Sequence, residues 1–189
     1  VLRRVCLLLL DTYNCLLEGV RNADRHLLDT IEDKHDAITK FVSYCMRMIS
    51  KENVLSVHQG YYYYHIIGYI DRLTDVIKYN ARKWKRMQRF PHPWTMEGME
   101  RIKLAIETFY KLFYSYSNSD LMIVNEQRYA VEASLVDVPD GIASDELVTL
   151  TELSQMLELL MDMVEARMGL ENTRARGKRG GAGAPAETA

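Results

Sequence analysis

The sequence predicts an all-α protein built from two tandem copies of a three-helix unit. Three observations point there. Apolar residues recur at spacings of three and four through six segments. Helix breakers are scarce, with Pro91, Pro93 and Pro139 the only prolines before residue 177. And the two halves of the chain match when one is slid along the other.

The six helices follow in order. The first spans about Val1–Arg21, and Asn22-Ala23-Asp24 supplies a turn with capping chemistry. The second runs from about Asp24 to Lys51, and the third from about Ser56 to Arg89. FPHPW at 90–94 breaks the chain. The fourth helix is expected over Met96–Tyr116. Asn118-Ser119-Asp120 opens the fifth, to about Val136, and VPDG at 138–141 makes a turn. Ser144-Asp145-Glu146 caps the sixth, which is expected to end near Leu170. From Glu171 the Gly/Ala-rich, basic stretch lacks apolar anchors and reads as disordered. The domain reading is therefore a first repeat over 1–89, a second over 95–170 and a tail over 171–189.

The repeat carries most of the organisation. A slide of 96 places Asp11-Thr12-Tyr13 on Glu107-Thr108-Phe109, Leu16 on Leu112, Asn22 on Asn118 and Asp24 on Asp120. A slide of 87 places Ile70 on Leu157, Asp71 on Glu158, Asp75 on Asp162 and Ile77 on Val164. A three-helix unit alone leaves an apolar face exposed, so two units should pack into one bundle.

Composition narrows the rest. The chain has 189 residues, 48% hydrophobic and 26% charged, with a formal net charge of −2. No global charge selects nucleic acid or an anionic membrane. Cys6, Cys15 and Cys45 contain no CxxC pair, which suggests a reducing compartment. The apolar run after Arg3-Arg4 is interrupted at Asp11, and no stretch reaches the ~20 apolar residues of a membrane span.

The chemistry concentrates in acidic pairs. Two acids four residues apart share a helix face and repel by ~0.2–0.5 kcal/mol, a sign that a bound cation reverses. The pairs are Asp29/Asp33, Glu32/Asp36, Asp71/Asp75 and Glu158/Asp162. Chance at this acid content gives about as many, so placement matters more than number. Asp71/Asp75 and Glu158/Asp162 fall at equivalent places in the two repeats. The alternative is a solvated face, with Arg72 and Lys78 balancing Asp71 and Asp75.

IIGYIDRLTDVIKYNARK resembles the third-helix signature of the PhoU family, and LELLMDMVEARM resembles the same signature in the second half. DTIEDKHDAITKFVSYCMRMI is similar to the family's acid-rich second helix. The resemblance covers about residues 1–170. It implies a cytoplasmic, non-enzymatic regulator of phosphate uptake. Such a protein works with phosphate transporter components and a sensor kinase, commonly as a homodimer. It also implies cation binding, with iron or zinc favoured, which makes Asp71, Asp75, Glu158 and Asp162 candidate ligands and adds Glu32 and Asp36 from the second helix. Some archaeal relatives carry a DNA-binding domain ahead of the helices, which is the one route by which nucleic acid would enter. The slide of 96 puts Arg128 opposite Glu32, so the second metal site is expected to be weaker, with an internal ion pair as the substitute.

Two other readings stay open. One is an accessory protein of a different phosphate transporter. The other is a carboxylate-bridged metalloenzyme, which normally needs paired Glu-x-x-His motifs, whereas this chain has only Glu32/His35. No P-loop, GxGxxG, HExxH or nucleophile elbow is present, so no catalytic residue is assigned. The basic stretch 82–89 fits either a favourable helix C-terminus or a partner patch. Tyr61–Tyr64 cannot share one face and are divided between core and surface, part of which should support a dimer.

Overall fold

The computed structural model describes residues 1–51, 55–87 and 89–180, with 174–180 described by backbone alone. Six helices follow one another: α1 Leu2–Arg21, α2 Arg25–Lys51, α3 Val57–Met87, α4 Pro93–Tyr114, α5 Asn118–Val136 and α6 Ser144–Gly180.

Local chemistry sets their ends. Asp24 Oδ1 accepts from Leu27 N at 3.1 Å and starts α2, while Ala23 takes a left-handed φ of 50° to turn the chain. Ser56 and Gln59 cap α3 reciprocally: Gln59 N donates to Ser56 Oγ at 3.2 Å and Ser56 N to Gln59 Oε1 at 3.3 Å. Helix α4 begins three residues earlier than Met96, because Pro93 fits the first helical turn and His92 Nδ1 accepts from Trp94 N at 3.1 Å. Helix α6 outruns the expected stop at Leu170 and reaches Gly180. The reason is local. Arg167 Nη1 meets Glu171 Oε2 at 2.9 Å one turn on, and the Thr173 hydroxyl donates to Leu170 O at 2.8 Å. The helix thus carries on past the expected boundary through Thr173, and the side chains of 174–180 and all of 181–189 lie outside the described residues.

Packing repeats in the two halves. α1, α2 and α3 touch one another, as do α4, α5 and α6. The halves meet through equivalent helices, α1 on α4 and α3 on α6. α2 and α5 stay on the outside of this arrangement. The buried apolar residues form one continuous core drawn from all six helices, including Leu16, Ile31, Ile70, Met99, Val124 and Leu160. Polar ties cross between halves: the Tyr13 hydroxyl donates to Met99 O at 2.8 Å, and Arg167 Nε to Phe113 O at 3.0 Å. At the α3/α6 crossing Gly169 lets the Tyr62 ring in, since a Cβ there would lie 2.3 Å from it. No helix among the described residues is long and apolar enough to cross a membrane.

The acid seams as the candidate functional site

The first acid cluster lies between α2 and α3, which run antiparallel. Polar contacts follow one another along this seam. Asp29 pairs with Lys85. Glu32 takes a two-pronged contact from Arg82, with Nη2 to Oε2 at 2.9 Å. Asp75 Oδ1 receives Lys78 Nζ at 2.6 Å and stands 3.0 Å from His35 Nε2. The Thr39 hydroxyl donates to Asp71 Oδ1 at 3.3 Å.

The centre of this seam is Lys78. Its side chain is only 11% exposed, so its ammonium is largely removed from water and depends on its partners. Besides Asp75 it has His35 Nε2 at 2.9 Å and the Tyr79 ring at 5.0 Å. His35 Nδ1 in turn stands 3.1 Å from Asp36 Oδ1. Burial pushes the Asp75 carboxyl up, but hydrogen bonds from Lys78 and His35 outweigh it and hold the group below its ordinary range. Arg82, chiefly through its hydrogen bonds, likewise lowers Glu32.

The second seam is built differently. Glu158 and Asp162, one turn apart on α6, go to different neighbours. Glu158 Oε1 takes Arg128 Nε of α5 at 2.5 Å, and Arg128 Nε also lies 3.1 Å from Glu132. Asp162 instead lies near Tyr69 of α3, whose phenol is pushed up first by burial and then by this carboxylate. The internal ion pair expected at Arg128 in place of the second metal site forms here, with Glu158 as its partner. Glu32 pairs with Arg82, whereas Arg128 pairs with the counterpart of Asp71, about three helical turns away on the matching helix. The helix starts differ by less than one turn, α5 beginning 93 residues after α2 rather than 96.

The structure thus brings Glu32, Asp36, Asp71 and Asp75 to one seam, but shares them out among Arg82, His35, Thr39 and Lys78. Among the described residues no group of three or more His, Cys, Asp or Glu side chains is placed to hold a metal ion. In this arrangement Asp75 and Glu32 already have cationic partners, Lys78 and Arg82, while Asp71 meets the neutral Thr39 hydroxyl. Glu32 and His35, the half-motif of a carboxylate-bridged centre, also point to separate partners. Lys78 was legible in the sequence as a counter-charge. Arg82 was not: a cation near a helix end suggested the helix dipole, and only the antiparallel α2 reveals Glu32 as its partner.

Other features fall into place around the seams. Within 82–89, Lys83 pairs with Glu152 across the halves, and Arg89 Nη2 lies 3.3 Å from buried Glu146. Much of that stretch is therefore structural. Of the four tyrosines, Tyr62 packs against Gly169 and Tyr63 against Phe113, while Tyr61 and Tyr64 are exposed. Cys6, Cys15 and Cys45 are free thiols.

No family model matches this sequence, and no curated protein matches it. Among solved structures it is similar to the phosphate transport system regulatory protein PhoU from Streptococcus pneumoniae, with a TM-score of 0.74 at 13% identity. The similarity covers 90% of this chain and 91% of that one. Two three-helix units, joined through equivalent helices and matched end to end at that level, give this chain the PhoU-like fold.

Proposed function

We propose that the chain is a regulator of phosphate uptake or phosphate signalling that works by protein contact rather than catalysis. In this reading it acts in the cytoplasm on transporter components, a sensor kinase or both, as a homodimer. The observation that supports it best is the end-to-end likeness to a phosphate transport regulatory protein. The repeated acid pairs add to it, since they fall on equivalent helices of the two units. Three free thiols suit a reducing compartment.

Metal dependence enters this reading in a restricted form. Iron, zinc or another cation would meet the first seam in competition with Lys78 and Arg82, which already neutralise Asp75 and Glu32. Glu158 is met in the same way by Arg128. The resting state is therefore the ion-paired one, and the seams serve first as clasps between helices.

The test is phosphate uptake in the source organism with and without the gene, at scarce and abundant phosphate. Loss of the gene should change uptake in a phosphate-dependent way, and reintroducing it should restore the original response. Uptake that stays the same at every phosphate level would overturn the proposal. Light scattering at tens of micromolar protein should show a dimer, and a monomer there would remove that part of the reading.

A further inference from the structure

The slide that relates α3 to α6 places Glu165 where Lys78 stands. This matters because Lys78 is the ammonium that Asp75 holds. In the second unit Asp162 takes the place of Asp75, but three residues on there is a second carboxylate instead of the cation. Asp162 and Glu165 are both exposed, and among the described residues neither has an ion pair.

These two acids edge a groove of about 260 Å³ between α3 and α6. Its other wall is aromatic. Tyr61, His65 and Tyr69 lie one turn apart on α3, with ring centroids 4.2 Å apart for the first pair and 6.1 Å for the second. Tyr62 and Ala166 also line it. Tyr61 is 59% exposed, a large ring left in water beside unneutralised carboxylates. Rings in a ladder offer apolar faces to a methylene stem and π-density to a cation. Carboxylates at the edge offer the charge.

The first unit shows the same chemistry satisfied from within. There the Lys78 ammonium sits among a carboxylate, an imidazole and a tyrosine ring. The α3/α6 groove presents carboxylates from the second unit and an imidazole and tyrosine rings from α3 of the first, without the ammonium. We propose that the α3/α6 groove is a docking site for a lysine side chain on a partner protein's segment. The lysine stem would lie along Tyr61, His65 and Tyr69, and its ammonium would sit between Asp162 and Glu165. This goes beyond the regulatory reading and rests on it only in taking the ligand to be a protein.

The test uses the full chain and a fluorescein-labelled peptide of alternating Ala and Lys, with an Ala–Glu peptide as control, followed by anisotropy at low salt. The Lys peptide should bind saturably and the Glu peptide should not. Asp162→Asn and Tyr61→Ala should each weaken binding at least tenfold. Glu165→Lys supplies an internal ammonium in the Lys78 position and should abolish it. Asp33→Lys makes the same charge change on α2, which does not touch α6, and should bind like the unaltered chain. All these positions are at the surface or nearly so, and matching far-UV melting curves would show that the variants fold. No saturable binding, or equal loss in Glu165→Lys and Asp33→Lys, would overturn the site. Failed binding with a phosphate-uptake phenotype intact sinks the groove alone. Binding without that phenotype sinks the regulatory reading and leaves the groove standing.

Discussion

Along the α2/α3 seam, polar pairs succeed one another, Asp29–Lys85, Glu32–Arg82 and Asp71–Thr39 between the helices and Asp75–Lys78 within α3. Between α5 and α6, one arginine, Arg128, ties Glu158. The two seams have the same helical scaffold and matching acids, yet they hold charge in different ways. In the first, α3 carries its own cations. In the second, the matching positions on α6 hold Glu165 for Lys78 and Gly169 for Arg82, so the cation must come from the neighbouring helix. The lesson is that an acid pair at a repeated position does not define one chemistry. What lies three and seven residues further along the same helix decides whether the pair is closed or left open.

This comparison breaks most readily at Asp75. Removing its charge leaves the Lys78 ammonium, 11% exposed, with only His35 and Tyr79. Asp75→Asn should cost about 1–3 kcal/mol, less than a fully buried pair because Asp75 itself is 42% exposed. Its counterpart Asp162 is exposed and has no ion pair among the described residues, so Asp162→Asn should cost under about 0.5 kcal/mol. Chemical denaturation of both variants measures the difference. Equal costs would mean that the seams are not distinct.

Acid should separate the seams next. Asp75 and Glu32 are both held below their ordinary pKa. A depressed carboxylate contributes stability that is complete above its unfolded pKa, about 3.9–4.3, and is lost as pH falls through the folded value. The melting temperature should therefore drop on going from about pH 5 to pH 3. Asp75→Asn should start lower at neutral pH and fall less, so that the two curves converge on acidification. Parallel curves would assign the acid sensitivity elsewhere.

The smallest effect is expected at the second seam. Arg128 and Glu158 have side chains 30% and 50% exposed, so Arg128→Met should cost less than about 1 kcal/mol and depend on salt. A larger, salt-independent loss would show that this pair does more than hold a surface.

Much of the architecture was readable from the sequence. Six periodic segments gave six helices, and the turn at Asn22-Ala23-Asp24 and the break before Pro93 fell where capping residues and prolines said they would. The seams were readable only in part. Spacing along one helix reveals which acids share a face, so Asp71 with Asp75 and Glu158 with Asp162 were found. Which residue answers them depends on the register between antiparallel helices, which a slide along the chain does not set. Thr39 and Arg82 escaped notice as partners for that reason, whereas the internal ion pair expected of Arg128 at the second site forms with Glu158. The continuation of α6 past Leu170 was missed because a composition rich in Gly and Ala outweighed the local Arg167–Glu171 pair.

The first seam is closed by its own cations, Lys78 on Asp75 and Arg82 on Glu32. The most direct measurement is thermal unfolding of the whole chain and of Lys78→Met/Arg82→Met, titrated with manganese, zinc and ferric ions. With its carboxylates already paired, the unaltered chain should shift little. The double variant should start at a lower melting temperature and then gain a rise that grows with the logarithm of ion concentration, since a ligand bound only by the folded state stabilises in that way. A rise in the unaltered chain as large as in the double variant would contradict the claim and make the seam an open cation site.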